Sequence, residues 1–297
     1  MFEIGHKILD WISFHYKEII FVCVIIYLAL SLAVYFFQDL ILFRPEKLSK
    51  DFKFDYKNYN FQEYTIPTNK GELSGIRFKA ENPKGVVLYL KGNSRSIKDW
   101  GKFAIDFLRY DYDVIMLDYR GFGKSRGRRT QEHIKEDIQL VYDKIKEKVD
   151  EKYIILYGRS MGSGFATKIA STNSPRMLIL DAPYYSMSRS TGRYLPFLPM
   201  SLLLKWPIPT YKWIKFVKCP IHIIHGTEDK LIPFKSSIKL ATINREKTKL
   251  YPIISGGHNN LHNFESYHET LSQILTLDKM EFDKEKSSLT YIRKKGR

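Results

Sequence analysis

Cysteine is nearly absent from this chain: two in 297 residues, Cys23 inside an apolar run and Cys219 before a proline. They offer no zinc-ligand spacing and no disulfide framework. Carboxylates are short as well, 32 Asp and Glu against 48 Lys and Arg, for a formal charge of +16. A surplus of that size suits an anionic membrane surface, a nucleic acid or plain solubility. The basic residues are spread out, with small clusters at Arg126, Arg128 and Arg129 and at Arg293, Lys294, Lys295 and Arg297. No nucleic-acid-binding motif accompanies them, so no nucleic-acid partner is expected. Internal repeats and low-complexity tracts are missing too. With 44% apolar and 27% charged residues, and 17 glycines in no triplet period, the chain is neither disordered nor collagen-like and folds around a sizeable core.

Long uncharged runs are absent with one exception. From Ile19 to Phe37 no residue carries a formal charge, and the run is bounded by Lys17-Glu18 and Gln38-Asp39. At 1.5 Å per residue it spans about 28 Å, close to the hydrocarbon thickness of a bilayer, which predicts a transmembrane helix over 19–38. A cleaved signal peptide is the competing reading, with Ser31-Leu32-Ala33 as its small residues. The leader of 1–18 is long for a signal and carries Glu3, Asp10 and Glu18, which favours an uncleaved anchor. Lys7 and Lys17 precede the run, whereas Arg44, Lys47, Lys50, Lys53 and Lys57 follow it. The positive-inside rule then puts the C-terminal body on the cytoplasmic side. Residues 39–60 read as a juxtamembrane linker.

Beyond residue 60, short apolar runs alternate with helical patterns. Residues 61–66 and 73–78 read as a hairpin around Asn69-Lys70-Gly71. Buried strands are predicted at 86–90, 114–117, 153–157 and 177–180, then at 221–224 and 249–253. Ile134, Ile138, Val141, Ile145 and Val149 mark one face of a helix. This order predicts one α/β domain over 61–277, with a mostly parallel central sheet and helices on both faces. Its regularity breaks between Pro183 and Pro220, where six of the twelve prolines fall among aromatic residues. That predicts a cap-like insertion over about 184–216, and 278–297 form a charged tail.

Gly158-Arg159-Ser160-Met161-Gly162 fits G-x-S-x-G where a strand gives way to a helix. The flanking glycines suit a sharp turn that lifts Ser160 above the sheet as a nucleophile. A serine hydroxyl needs a general base and an acid to orient it. Asp229, in the loop after the strand 221–224, and His258, in the glycine turn after the last strand, supply the order Ser160, Asp229, His258. Asp181 and Glu228 compete for the acid role, and His225, His262 and His268 for the base. Backbone N–H groups of Met161 and Asn93 are the candidate oxyanion donors. Gly121-Phe122-Gly123-Lys124-Ser125 resembles the end of a phosphate-binding loop, but the glycine required at position 118 is Asp, which rules out a nucleotide site. Asp118 and Arg120 are expected to fix loops near the site instead.

Together KGN at 91–93, DYRGFGKS at 118–125, GRSMG at 158–162, PFLP and LLLKW within 196–206, HGTEDKLIP at 225–233 and GGHNN at 256–260 resemble the membrane-anchored α/β-hydrolases of the Bem46/ABHD13 type. The resemblance runs from about residue 60 to 277 and includes the N-terminal anchor. It implies an α/β-hydrolase fold and a serine triad, with no metal or organic cofactor. Relatives are variously esterases, lipases, thioesterases or serine aminopeptidase-like proteins. An acyl ester, lipid or thioester substrate is therefore the leading expectation, ahead of an amide and of a non-catalytic membrane-tethered scaffold. Lys91 departs from the histidine usual in this family's HGN segment and is expected to place a cation near the oxyanion loop.

Overall fold

Uncharged runs of aliphatic residues make the interior strands, because a strand covered on both faces tolerates no polar alternation. The computed structural model describes residues 2–57, 59–69 and 71–276, with side chains from residue 14 onward. Its nine described strands are β1 (Phe61–Thr68), β2 (Gly71–Phe78), β3 (Gly85–Leu90), β4 (Tyr112–Leu117), β5 (Arg126–Gly127), β6 (Ile154–Arg159), β7 (Met177–Asp181), β8 (Ile221–Gly226) and β9 (Thr248–Ile253). They form one sheet in the order β1-β2-β4-β3-β6-β7-β8-β9, with β5 paired to β2. The β1–β2 hairpin and the β2–β4 pair are antiparallel, and every pair from β4 to β9 is parallel. The sequence pattern located all of these strands except β5, which at two residues is too short to show a period.

Both faces of the sheet are covered. Val86, Leu88 and Leu90 point into one core with Ile134, Ile138, Phe165 and Ile169, while Val87 and Tyr89 point into the other with Phe107, Tyr267 and Leu271. The helix Gln131–Lys146 opens at Thr130, whose side chain accepts the His133 N–H at 3.1 Å, a hydrogen-bonded N-cap. Val149, placed on this helix by periodicity, lies past its end. After β3 the chain runs to β4 on one side and then returns to β6 on the other. That reversal opens a crevice at the carboxyl ends of β3 and β6.

Two N-terminal expectations change. A single helix runs Phe2–Leu42, beyond 19–38 at both ends, because nothing in the flanking sequence breaks it before Pro45. Its apolar side chains stand away from the body, Phe36 at 64% and Leu40 at 75% exposure. Residues 39–60 are no loose linker. Phe43, Leu48 and Phe54 are buried, and the Tyr56 hydroxyl donates to the Ile97 carbonyl at 2.7 Å. Alternation with Lys and Asp hid these anchoring aromatics from a periodicity test.

The proline-rich stretch forms three short helices, Met187–Gly192, Met200–Leu203 and Thr210–Trp213. It is pinned by the buried Trp206, whose ring meets Phe43 edge-on at 4.5 Å. The tail expected over 278–297 lies outside the described residues.

Ile138 has no exposed surface at the helix–sheet contact. Ile138→Ala is expected to lower the unfolding free energy by about 2–5 kcal/mol, and the exposed Lys144→Ala to stay within about 0.5 kcal/mol. Denaturant midpoints of the detergent-solubilised chain, at constant slope, check both.

Candidate active site

Ser160 occupies the one-residue turn between β6 and the helix Met161–Ala170, with φ 50° and ψ −119°. A side chain in this region costs energy, and neighbouring contacts hold it there. The Ser160 N–H donates to the Asp181 carbonyl at 2.9 Å, and the Ser163 hydroxyl donates to the Ser160 carbonyl at 2.6 Å. Close packing explains both glycines. A Cβ on Gly158 would stand 2.6 Å from the Gly162 carbonyl oxygen, and one on Gly162 would collide with the Leu90 carbonyl.

The structure brings Ser160, His258 and Asp229 into one hydrogen-bonded chain. Ser160 Oγ lies 3.0 Å from His258 Nε2, and His258 Nδ1 lies 2.7 Å from Asp229 Oδ2. With a carboxylate at Nδ1, the proton belongs there and the Nε2 lone pair faces the serine. The other Asp229 oxygen accepts the N–H groups of Leu231 at 2.9 Å and Ile232 at 2.7 Å. Burial pushes the Asp229 pKa up, but hydrogen bonds from His225, His258 and the Ile232 amide outweigh it and hold the carboxyl well below the usual range.

The competing residues do other work. Asp181 accepts the Tyr157 hydroxyl at 2.6 Å and pairs with Arg159 at 3.6 Å. Glu228 is exposed. His225 is buried beneath Asp229, its Nε2 3.1 Å from Oδ2 and 3.0 Å from the Ile232 carbonyl, so Nε2 carries the proton. Its Nδ1 then accepts the Ser237 hydroxyl at 2.6 Å. His262 stacks on Phe103 and meets Arg159 at 2.5 Å, and His268 Nε2 donates to the His262 carbonyl at 2.9 Å.

Met161 and Asn93 both line the cavity in front of Ser160. Met161 is the first residue of its helix, where N–H groups have no partner within the helix. The Asn93 loop is tied to the end of the N-terminal helix. Its side-chain amide donates to the Leu42 carbonyl at 2.6 Å, and its carbonyl accepts the Arg44 N–H at 2.9 Å.

Lys91 lies by the Asn93 loop, as expected, but does not line the cavity. It is wholly buried under the loop, 3.4 Å from Asp118 and 3.9 Å above the Phe122 ring. Asp118 also accepts the Ile97 N–H at 3.0 Å, so it fixes the loop as expected. Arg120 instead ties Asp137 to the β1–β2 turn, through Asp137 Oδ1 at 2.8 Å and the Asn69 carbonyl at 3.0 Å.

The cavity holds about 380 Å³ and is lined by Leu42, Trp100, Tyr184, Tyr194 and Ile232 among others. Arg44 and Arg159 also face it, with no carboxylate among its lining residues. Sequence reasoning passed over Ile41, Leu42 and Arg44 as part of this wall. Only tertiary contact brings them there, whereas the position of Arg159 beside Ser160 was a usable signal.

Burial lowers Lys91 from its ordinary 10.5 to about 8 against the pull of Asp118, and raises Asp118 from 3.8 to about 6 against the pull of Lys91. The folded state thus binds fewer protons than the unfolded chain between about pH 8 and 10.5, and stability rises with pH there. Between about pH 4 and 6 it binds more, and stability falls as pH rises. Lys91→Met, which strands Asp118, is expected to cost about 3–5 kcal/mol, most of it recovered in Lys91→Met/Asp118→Asn. The double variant should also flatten both pH slopes, as read from unfolding midpoints across the pH range.

A family model described as serine aminopeptidase, S33 matches residues 81–216. An uncharacterised protein of Mycobacterium tuberculosis is 28% identical over 177 residues, 59% of this chain and 63% of that one. Lysophosphatidylserine lipase ABHD12 of Danio rerio is 24% identical over 212 residues, 60% of this chain and 53% of the relative. The chain therefore spans less than two thirds of the length of either relative. Among solved structures, the Pyrococcus furiosus esterase Pf2001 superposes with a TM-score of 0.64 at 20% identity, covering 80% of this chain and 98% of the esterase. That likeness is one of fold, and it agrees with the mostly parallel sheet. By its sheet order and this superposition, the chain has the α/β-hydrolase fold.

Proposed function

We propose that the chain is a membrane-anchored serine hydrolase that cleaves acyl esters, with Ser160 as nucleophile, His258 as general base and Asp229 as its orienting acid. The observation that carries this reading is the unbroken hydrogen-bonded chain from Asp229 through His258 to Ser160 at an apolar cavity. Ser160 Oγ attacks the acyl carbonyl as His258 Nε2 takes its proton, and Asp229 stabilises the imidazolium. The Met161 and Asn93 N–H groups receive the developing oxyanion. His258 returns the proton to the departing alkoxide. Water, activated by the same imidazole, then frees the acid from Ser160.

The uncharged run Ile19–Phe37 of this helix supports membrane anchoring, since its exposed apolar surface has no cover among the described residues. A lipid ester suits a cavity whose wall includes the end of that helix. The relative's activity on lysophosphatidylserine, an anionic amphiphile, suits the presence of Arg44 and Arg159. The flanking basic residues favour a cytoplasmic body. A second reading, amide hydrolysis, draws on the aminopeptidase description of the matching family model.

A fluorophosphonate probe is expected to label wild-type protein in membranes at Ser160 alone, and Ser160→Ala not at all. Asp229→Asn is expected to lower kcat on a short acyl ester by roughly 10³-fold or more. Folded wild type that resists labelling would sink the hydrolase reading in favour of a scaffold. Faster turnover of amino-acid amides than of matched esters would select the amidase.

A further inference from the structure

The cap differs from the rest of the surface in charge. Between Asp181 and Glu228 there is no acidic residue, while Arg189, Arg193, Lys205, Lys212, Lys215 and Lys218 all fall in that interval. All six are exposed. The same stretch displays apolar side chains, with Phe197 at 87% and Leu202 at 82% exposure and Tyr194 and Leu195 beside them. A basic surface with large apolar side chains standing out of it is the composition of a membrane-surface element.

Its height relative to the N-terminal helix is fixed by direct contacts. Gln38 donates to the Leu203 carbonyl at 3.2 Å and accepts the Lys205 N–H at 2.7 Å. The Trp206 indole donates to Asp39 at 2.7 Å, and the Lys205 ammonium lies 4.3 Å above the Tyr35 ring. Residues 202–206 therefore stand level with residues 35–39, where the uncharged run ends and polar residues begin. A bilayer whose core covers about 28 Å of helix from Ile19 to Phe37 reaches its headgroup layer at this level. The cavity wall starts at Ile41 and Leu42, about 7 Å beyond Phe37 along the same helix.

We infer that the outer face of the cap, carrying Phe197 and Leu202 with Arg193 and Lys205, docks onto an anionic leaflet of the bilayer that holds the helix. The cavity mouth then opens at the headgroup layer, and the substrate is a lipid taken from that leaflet. This inference rests on the anchored-hydrolase reading. The apolar side chains enter the interface, and the basic ones pair with lipid phosphates.

The test uses the full chain in phosphatidylcholine vesicles, with and without phosphatidylglycerol. On a Cys23→Ser background, an environment-sensitive fluorophore is attached at Phe197→Cys, Leu202→Cys, Leu28→Cys within the helix, or Lys144→Cys at the far end of Gln131–Lys146. Cys219 stays unlabelled, because burial pushes its thiol up to about 12. Nitroxide-bearing lipids are expected to quench positions 28, 197 and 202 and to spare 144. Quenching at 197 and 202 should be stronger with phosphatidylglycerol. Arg193→Gln and Lys205→Gln should each lower the ratio of docked to free cap about fivefold. Quenching at 28 without quenching at 197 and 202 overturns the docking and leaves the anchor standing. No quenching at 28 overturns both. Self-quenching at 197 that grows with protein density, in the absence of lipid quenching, assigns the face to a second copy of the chain and overturns the inference. Quenching indifferent to phosphatidylglycerol overturns the anionic leaflet.

Discussion

Everything around the crevice depends on one tight approach: the helix Met161–Ala170 lies so close to β3 that Gly162 rests on the Leu90 carbonyl. Only a residue without a side chain fits there, and the approach is what turns the chain sharply at Ser160. A wider turn would relieve the positive φ but would also lower the serine toward the sheet. Its hydroxyl would then lose the line to His258. The strain at one residue is held by the β6–β7 ladder on one side and the helix start on the other, which are among the most buried parts of the molecule.

Buried charge fixes the geometry of the loops around this turn. Asp229 is held by two histidines and two backbone amides, which ties the segment from His225 to Ile232 to the His258 turn. Lys91 and Asp118 do the same for the loop that carries Asn93. Both members of that pair are pushed toward neutrality by burial, so the pair adds little net stability. Its contribution is definition: the Lys91 backbone must sit where the ammonium reaches Asp118, the Arg95 carbonyl and the Phe122 ring.

The core of the fold was legible in the sequence because parallel strands buried on both faces leave uncharged apolar runs, as in Val86–Leu90. The site was legible because a turn at Ser160 needs glycines at fixed offsets, and because strand ends gather Asp229 and His258 at one edge. What stayed hidden depends on contact across long separations. Nothing local marks Phe43, Leu48 or Phe54 as core residues among their charged neighbours. The side on which Lys91 leaves its loop is decided by Asp118 and Phe122, nearly thirty residues away, so the sequence placed a cation near the loop without saying that it is buried beneath it. The wall formed by Ile41 and Leu42 belongs to a helix whose periodicity says only that it is apolar.

The hydrogen bond from Asn93 to the Leu42 carbonyl changes what kind of attachment the N-terminal helix provides. A flexible tether would leave the body free to rotate and would transmit nothing. Here the helix is a stiff stem whose last turn is fastened to the loop beside Ser160, with Gln38 and Asp39 fastened to residues 205–206 on the other flank. A helix in a bilayer tilts to match its apolar length to the local thickness. If the stem spans a bilayer as proposed, that tilt is a torque on the rim of the crevice, and lipid thickness becomes a mechanical input to the site.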